Sequence, residues 1–314
     1  AYLNKVYQPD FSGLCSGEFI VLPESNAVHG RFLKYRLNSG DFVRFASHLN
    51  TGDRPRVDWD QIKVFGIALP PMPEQTRIAD TLDELLSDLD AGVAALERVR
   101  AKLGQYRAAV LKAAVSGELT AEWREKHPAE ESASILLERI LAERRRRWED
   151  AQLQKFEDAG KAPPKDWKAK YPQPVAPDTT NLPPLPSGWC WATPQQLGNV
   201  QLGRQRAPQH HHGDHMRPYL RVANVYEGRI DLGSVYEMNF TPDEYNTFRL
   251  ENGDILLNEG QSLELVGRSA IYRDELPGAC FTNTLVRFRP HHSVLPEYAQ
   301  VYFMACLRSH RFRR

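Results

Sequence analysis

Between Pro73 and Gly117, apolar residues recur at alternating spacings of three and four, which is a seven-residue repeat. This spacing places them in a narrow stripe along one side of an α-helix. Pro73 suits the first helical turn, where its missing N–H needs no partner, and Gly117 suits the helix end. The sequence therefore predicts one long helix that packs against a second helix through this stripe. The predicted packing residues are Ile78, Leu82, Leu85, Leu89, Leu96, Val99, Leu103, Tyr106 and Val110.

The residues before this helix show two other patterns. Residues 1–28 contain the short apolar runs typical of strands, the clearest of which is 19–22 before Pro23. Residues 31–46 carry apolar side chains at helical spacing. The turn that follows, 51–56, contains Arg54 and Arg56, which we interpret as candidate phosphate contacts.

The residues after the long helix predict a second helix, a linker and a strand-rich region. The second helix is expected at about 131–156, and the Pro- and Lys-rich residues 157–188 read as an extended linker. From Trp189 onward, short apolar runs alternate with turns. Strands are predicted at 219–222, 254–257, 270–272 and 285–288, with a last helix at 297–312. The predicted fold class is α+β, with strand-rich domains joined by a long coiled-coil-type helix.

The two ends of the chain resemble one another. Residues 1–23 align with 270–290 with a small gap, and a helical pattern follows each copy. We therefore expect residues 1–69 to be the second half of one domain, and 189–314 to be a similar domain that is incomplete at its C-terminal end.

Composition narrows the class of protein. The chain has 40 Lys and Arg against 40 Asp and Glu, so any surface for nucleic acid has to be local. There is no apolar run of membrane-spanning length and no signal-peptide pattern, so no membrane partner is expected. The four cysteines are scattered, which favours reduced thiols and a cytoplasmic location.

Three stretches together resemble the specificity (S) subunit of type I restriction–modification systems. They are 67–78, which enters the long helix; 219–232; and 253–268 together with 281–283. The resemblance implies a non-catalytic subunit that reads a bipartite sequence in double-stranded DNA. It also implies two methyltransferase (M) subunits as partners, which would carry S-adenosylmethionine, and restriction (R) subunits. This chain is expected to hold no cofactor and no metal.

The same resemblance divides the chain into five parts. Residues 1–69 correspond to the C-terminal half of a first target-recognition domain, and 70–120 to the conserved spacer helix. A second helical segment, 121–156, and the Pro-rich linker, 157–188, lead to a second target-recognition domain at 189–314.

Candidate DNA contacts concentrate in this last part, which contains no lysine but many arginines. Arginine suits guanine edges and phosphates, although a GC-rich genome explains the same bias equally well. Asparagine and glutamine suit adenine edges, whereas the same residues after 257 also fit ordinary turn chemistry. The candidates here are Arg204, Arg206, His211, Arg217, Arg221, Asn224, Asn258, Gln261, Ser262, Arg268 and Asn283.

Other chemistry is weakly supported. The histidines at 210–212 and His215 suggest metal binding, but no cysteine or carboxylate set completes a site in that loop. The sequence contains no Walker A loop, GxGxxG, GxSxG or HExxH motif. The alternative to DNA recognition is a coiled-coil scaffold or assembly protein whose flanking domains bind protein.

Overall fold

A computed structural model of the chain describes residues 6–23, 25–49, 57–260, 262–263 and 265–312. The chain divides into two compact units, Ala1–Lys102 and Leu103–Arg314. The first unit contains three helices and the beginning of a fourth, and the second contains the rest of that helix, five further helices and nine strands in its described residues. The predicted α+β fold class is confirmed.

The helical pattern at 31–46 corresponds to two helices. They are α1 (Gly30–Leu37) and α2 (Gly40–His48), separated where the extended backbone of Ser39 begins a new helix. A single turn, α3 (Trp59–Ile62), follows. Helix α1 packs on the start of α4 (Met72–Ser116), where Arg31 pairs with Asp80 at 2.7 Å and with Asp83 at 2.6 Å.

The strands predicted within residues 1–28 are wrong for the described residues. Residues 6–23 form no strand, and the backbone pairing found nearby is an isolated bridge between Ser25 and Val28. Phe19 and Val21 are 65% and 66% exposed. A strand requires hydrogen-bonded neighbours, and no described residue pairs with 19–22. The matching segment of the proposed repeat, 285–290, is paired on both sides.

Helix α4 confirms the long helix predicted from the seven-residue repeat. It has 45 residues, so it is about 67 Å long. It ends at Gly117, whose φ of +79° an L-residue adopts only with strain. Ile78, Leu82 and Val110 of the apolar stripe are half-buried, whereas its middle part is uncovered by the described residues. Leu85, Leu89, Leu96, Val99, Leu103 and Tyr106 are all more than half exposed.

The second unit continues with α5 (Ala121–Lys126) and α6 (Ala133–Asp158), which confirms the second helix. The Ser132 hydroxyl caps α6 by accepting from Ile135 N–H. The Pro-rich segment that follows lies along this helix. Trp167 stacks on Trp148 with ring centres 5.9 Å apart, and Arg145 lies over the Tyr171 ring.

The strand-rich region begins with a short helix, α7 (Pro194–Leu197). The strands are β1 (Gly198–Leu202), β2 (Met216–Leu220), β3 (Val225–Tyr226), β4 (Arg229–Ile230), β5 (Tyr236–Asn239), β6 (Ile255–Asn258), β7 (Ser269–Ile271), β8 (Cys280–Phe281) and β9 (Leu285–Pro290). Helices α8 (Pro242–Phe248) and α9 (Pro296–Arg308) complete it. The strands predicted near 219, 254, 270 and 285 are therefore confirmed to within three residues at their ends.

These strands form three sheets. An antiparallel sheet has the order β1-β9-β6-β7, a second has the order β5-β2-β8, and β3 and β4 form a hairpin. The largest apolar cluster lies between them and includes Leu220, Leu256, Tyr272 and Phe281, all fully buried. A separate cluster, with Phe288 and Phe303, packs α9 on the four-stranded sheet. In the part of the chain that the structure describes, no helix is long and apolar enough to cross a membrane.

Candidate nucleic-acid interface

Ten arginines of the strand-rich region divide into two groups by their partners, while the buried Arg287, which donates to the carbonyl oxygens of Thr247 and Arg249, belongs to neither. One group forms ion pairs with carboxylates inside this region: Arg204, Arg249, Arg273, Arg289 and Arg308. The other group has no ion pair with any described residue: Arg206, Arg217, Arg221, Arg229 and Arg268. Each member of the second group lies over a tyrosine ring instead. Their charge is therefore not neutralised by a described carboxylate.

Three of these arginine–tyrosine contacts lie around β2 and its neighbours. The β2 arginine cluster consists of Arg206, Arg217, Arg221, Tyr219, Tyr236 and Tyr245. Arg206 lies 5.7 Å from the centre of the Tyr219 ring, and Arg221 lies 4.5 Å from that of Tyr236. The two tyrosines are partners across β2 and β5, with ring centres 6.4 Å apart.

Sequence spacing explains why this cluster forms. Side chains alternate between the two faces of a strand, so residues 217, 219 and 221 share one face of β2 and its extension. On that face Arg217 also reaches α8, where it lies 4.7 Å from the centre of the Tyr245 ring. Stacking on an aromatic face holds a guanidinium in one orientation while leaving its N–H groups free at the edge.

The Tyr226 cluster consists of Tyr226, Arg229 and Arg268. Tyr226 and Arg229 are opposite one another in the β3–β4 hairpin, and the guanidinium lies 4.4 Å from the ring centre. Arg268, just before β7, lies 5.1 Å from the same ring centre. One tyrosine thus holds two positive charges with no described carboxylate as a partner.

Asn258, at the end of β6, is a buried residue whose side-chain amide has no partner among the described residues, as is also true of the buried Ser269 hydroxyl. It is 2% exposed, and neither Nδ2 nor Oδ1 has a hydrogen-bond partner among the described residues. Its backbone N–H donates to Arg268 O over 2.9 Å, and Arg268 Nε is likewise without a partner. An unpaired buried amide is costly, so this position suits a bound water or ligand.

Two of the residues predicted to contact DNA, Arg204 and Asn224, are instead buried and bonded to other residues of the strand-rich region. Arg204 is 7% exposed, pairs with Glu244 at 2.7 Å and donates to Asn239 O over 2.5 Å. Burial raises the pKa of Glu244, but the Thr241 N–H and Arg204 outweigh it, so the pKa lies below its ordinary value. A direct contact between Arg204 and DNA would require it to leave these partners.

Asn224 is the second internal residue. It is 1% exposed, its Oδ1 accepts from Arg221 N–H over 3.0 Å, and its Nδ2 donates to the carbonyl oxygens of Asp231 and Ser234. These bonds use its amide fully and fix the turn after β2. Its role in this structure is to shape the backbone that presents Arg221.

The remaining candidates are more accessible. His211 and Ser262 are exposed, and Asn283 is half-buried with its N–H donating to Arg204 O. Arg54, Arg56 and Gln261 lie outside the described residues. The contribution of these six residues to DNA binding stays a prediction.

Sequence reasoning missed Arg229 as a site residue, and it missed the tyrosines under the arginines. The signal that was available is the Arg-x-Tyr-x-Arg spacing at 217–221, which a strand converts into one mixed face. The Tyr226 cluster had no comparable signal, because Arg268 is 42 residues away from its tyrosine along the chain.

Comparison with known proteins supports the same class. Residues 7–98 match the family model described as the type I restriction modification DNA specificity domain. The chain is 24% identical over 309 residues to the Type I restriction enzyme EcoKI specificity subunit of Escherichia coli (strain K12), covering 96% of this chain and 53% of that protein. It is 30% identical over 148 residues to the EcoDI specificity subunit of Escherichia coli, covering 46% of this chain and 33% of that protein.

Solved structures are similar at lower identity. The crystal structure of the HsdS subunit from Thermoanaerobacter tengcongensis aligns with a TM-score of 0.38 and 17% identity, over 90% of this chain and 54% of that chain. A chain from a structural study of complex assembly and conformational transition in the type I R-M system aligns with a TM-score of 0.43 and 18% identity, over 91% of this chain and 55% of that chain.

The resemblance to type I specificity subunits is therefore confirmed. The chain is similar to the first of these subunits over most of its own length, and residues 7–98 match the model of their DNA specificity domain. It spans about half the length of the first of these relatives.

Proposed function

We propose that the chain recognises DNA as part of the specificity subunit of a type I restriction–modification system, and that it has no catalytic activity of its own. The observation that carries this proposal is the set of arginines without carboxylate partners, each stacked on a tyrosine. The chain has no net charge. Because the chain as a whole is neutral, attraction to DNA phosphates requires a local surface of unpaired positive charge such as this one.

The two groups of arginines are suited to different tasks. An ion-paired guanidinium would have to break its pair before binding a phosphate or a guanine edge. A guanidinium held flat on a tyrosine presents its N–H groups without that loss, and its planar fork fits both targets. The β2 arginine cluster and the Tyr226 cluster are therefore the proposed contact surfaces within the target-recognition domain at 189–314.

Asn258 and Arg268 are the proposed positions for reading bases or for holding an ordered water between protein and base. Amide groups pair well with adenine edges, and water-mediated contacts carry specificity in protein–DNA interfaces. Both polar atoms of the Asn258 side chain lack a described partner, which supports a ligand-facing role over simple turn chemistry. Asn283 and Ser262 are proposed to support the same edge of the domain.

The long helix is proposed to be the spacer of the subunit. Residues 70–120 would pack through their exposed stripe against a second helix, and so fix the separation of two recognition domains, the first of which includes 1–69. A stiff spacer makes the distance between two half-sites part of the recognised sequence. Residues 121–156 and 157–188 would connect this helix to the second recognition domain.

Partners and location follow from the same proposal. Two methyltransferase subunits would bind S-adenosylmethionine and carry the chemistry, restriction subunits would join that core, and the complex would act in the cytoplasm on double-stranded DNA. The exposed stripe of α4 is also what a coiled-coil scaffold protein would show, and it favours that alternative function equally.

A selection experiment separates the two functions. The chain, co-expressed with the methyltransferase encoded beside it, would be incubated with a random duplex library, and bound duplexes would be sequenced. We expect enrichment of a motif that carries at least one defined half-site at a fixed position. A stable protein complex that enriches no sequence, and whose affinity for DNA does not depend on salt, would favour the scaffold.

A further inference from the structure

A cluster of metal-ligating side chains that shares no residue with the arginine clusters lies where α6 meets the segment between β9 and α9. It contains Glu143 on α6 with His291 and His292, which follow the last residue of β9. Each residue offers one ligand atom, and these atoms all lie within 4.8 Å of one another. Sequence alone could not indicate this site, because Glu143 and His291 are 148 residues apart.

We propose that Glu143, His291 and His292 bind a divalent transition metal ion, with Zn²⁺ as the best-fitting candidate. Two imidazoles and one carboxylate are a donor set that Zn²⁺ takes in proteins, with a water molecule as the fourth ligand. The site is independent of DNA recognition. It would join the helical segment 121–156 to the strand-rich region within the second unit.

The distances fit such an ion with little movement. Glu143 Oε2 is 3.1 Å from His291 Nε2 and 3.9 Å from His292 Nε2. Ligand atoms around a tetrahedral Zn²⁺, with bonds of about 2.0–2.1 Å, are about 3.4 Å apart. The side chain of His292 is 62% exposed, and its ring lies against that of His291 with ring centres 4.1 Å apart, so a rotation of this exposed ring would close the longer gap.

The geometry at His291 Nε2 favours a metal ion over a simple hydrogen bond to Glu143. His291 is 7% exposed, and its Nε2, although 3.1 Å from the carboxylate, is not aligned for a hydrogen bond with any described residue.

Two contacts oppose the ion and make the site weaker than a four-ligand zinc centre. Arg147 pairs with the other carboxylate oxygen, Glu143 Oε1, at 2.6 Å and lies 3.4 Å from His292 Nδ1. A metal on His291 Nε2 would place the ring proton on Nδ1, which now accepts from Ser293 N–H over 3.3 Å. The first contact can be removed by mutation, which gives a gain-of-affinity test.

The experiment is a Zn²⁺ titration of the 314-residue chain in competition with a chromophoric chelator, repeated with Co²⁺ to record the absorption of a tetrahedral site. The variants are Glu143→Gln and His292→Ala, both chosen because they leave the buried His291 in place. A control variant, His210→Ala with His211→Ala and His212→Ala, removes the histidine loop and so separates any adventitious binding there from binding at the proposed site. Arg147→Gln removes the opposing charge.

We expect the loop variant to retain one Zn²⁺ and its Co²⁺ spectrum. Glu143→Gln and His292→Ala should each bind at least about tenfold more weakly, and Arg147→Gln more tightly. Zn²⁺ should raise the melting temperature of the wild type and of the loop variant, reversibly with EDTA, but not that of His292→Ala. The proposal is overturned if the loop variant loses all binding, or if Glu143→Gln and His292→Ala bind Zn²⁺ as the wild type does.

Discussion

The guanidinium of Arg221 lies 4.5 Å from the centre of the Tyr236 ring, and its Nη2 donates to Ser234 Oγ over 3.1 Å. No described carboxylate pairs with it. Arg249, on the same strand-rich region, pairs instead with Glu251 at 3.1 Å. The difference between an arginine stacked on a tyrosine and one paired with a carboxylate separates the proposed DNA contacts from the structural charges of this domain.

Arg229→Gln tests the Tyr226 cluster. Arg229 is exposed and has no described ion pair, so its loss should leave folding intact and weaken binding to duplex DNA. If it contacts a phosphate, the slope of log affinity against log salt should fall by about 1. Fluorescence anisotropy between low and physiological salt measures this slope. Arg273→Gln, which removes an equally exposed arginine paired with Glu297, is the matched control. Equal effects of the two variants would count against the cluster.

Asn224→Ala tests the assignment of Asn224 to the interior. The variant loses the three hydrogen bonds of a side chain that is 1% exposed. We expect the free energy of unfolding, measured with urea, to fall by about 1–3 kcal/mol. The exposed Asn246→Ala in α8 should change it by much less. A stable Asn224→Ala that binds DNA poorly would show instead that the amide reads DNA.

Glu244→Gln tests the buried pair with Arg204 and its dependence on pH. The folded-state pKa of Glu244 is lowered from 4.5, so its contribution to stability is present above that pH and is lost as the pH falls through the lowered value. At neutral pH the variant should lose about 2 kcal/mol. Below pH 4.5 the difference from the wild type should shrink.

The control for this pair is Glu297→Gln, whose ion pair with Arg273 has both side chains more than half exposed. Exposed pairs contribute little, so this variant should be within about 0.5 kcal/mol of the wild type at every pH. Urea unfolding curves at several pH values give both comparisons. A Glu244→Gln variant with wild-type stability at neutral pH would contradict the structural role of the pair.

Leu89→Asp with Leu96→Asp tests the stripe of α4. These side chains are 60% and 71% exposed, so the fold of the chain itself should change little. Assembly should fail, because two charges would enter the apolar seam between helices. Size-exclusion chromatography with light scattering, on protein co-expressed with the methyltransferase subunit, measures the mass of the complex. Ala91→Asp with Ala101→Asp, on the opposite face of α4, adds the same charge, and should assemble normally.

Two results would contradict the proposal that α4 packs against a second helix through its apolar stripe. If the doubly substituted Leu89 and Leu96 variant forms a complex of wild-type mass, the stripe does not mediate assembly. If the control variant, Ala91→Asp with Ala101→Asp, also fails to assemble, the added charge is responsible and not the loss of apolar contacts. Helix packing through the stripe is supported only if the Leu89 and Leu96 variant fails to assemble and the Ala91 and Ala101 variant assembles normally.

Helices and strands were predicted correctly where the spacing of apolar residues within the segment is sufficient to define them. The seven-residue repeat gave α4 to within one residue at its N-terminal end, and the apolar runs near 254 and 285 gave β6 and β9. The run at 19–22 has the same composition but forms no strand, because pairing depends on neighbours elsewhere in the chain. Periodicity cannot report whether those neighbours are present.

The sequence predicted which residue types form the candidate site, but it did not predict which side chains pair with each arginine. The excess of arginine after Trp189 indicated a nucleic-acid surface, but the ion pairs that remove Arg204 and Arg289 from it involve Glu244 and Asp254, at least 35 residues away. Long-range pairs of this kind leave no mark in local spacing. The Arg-x-Tyr-x-Arg spacing at 217–221 was the one local signal available for a shared face, and it was not used in the sequence-based prediction.

The most direct test of the account is the salt dependence of duplex binding by two charge-matched triple variants. One replaces Arg206, Arg217 and Arg221 with glutamine, and the other replaces the ion-paired Arg249, Arg273 and Arg308. For the first, we expect weaker binding and a slope of log affinity against log salt that is smaller by about 3, since each phosphate contact contributes about 0.9. The second should bind nearly as the wild type does. Equal losses in the two variants, or no loss in the first, would contradict DNA recognition by the tyrosine-stacked arginines.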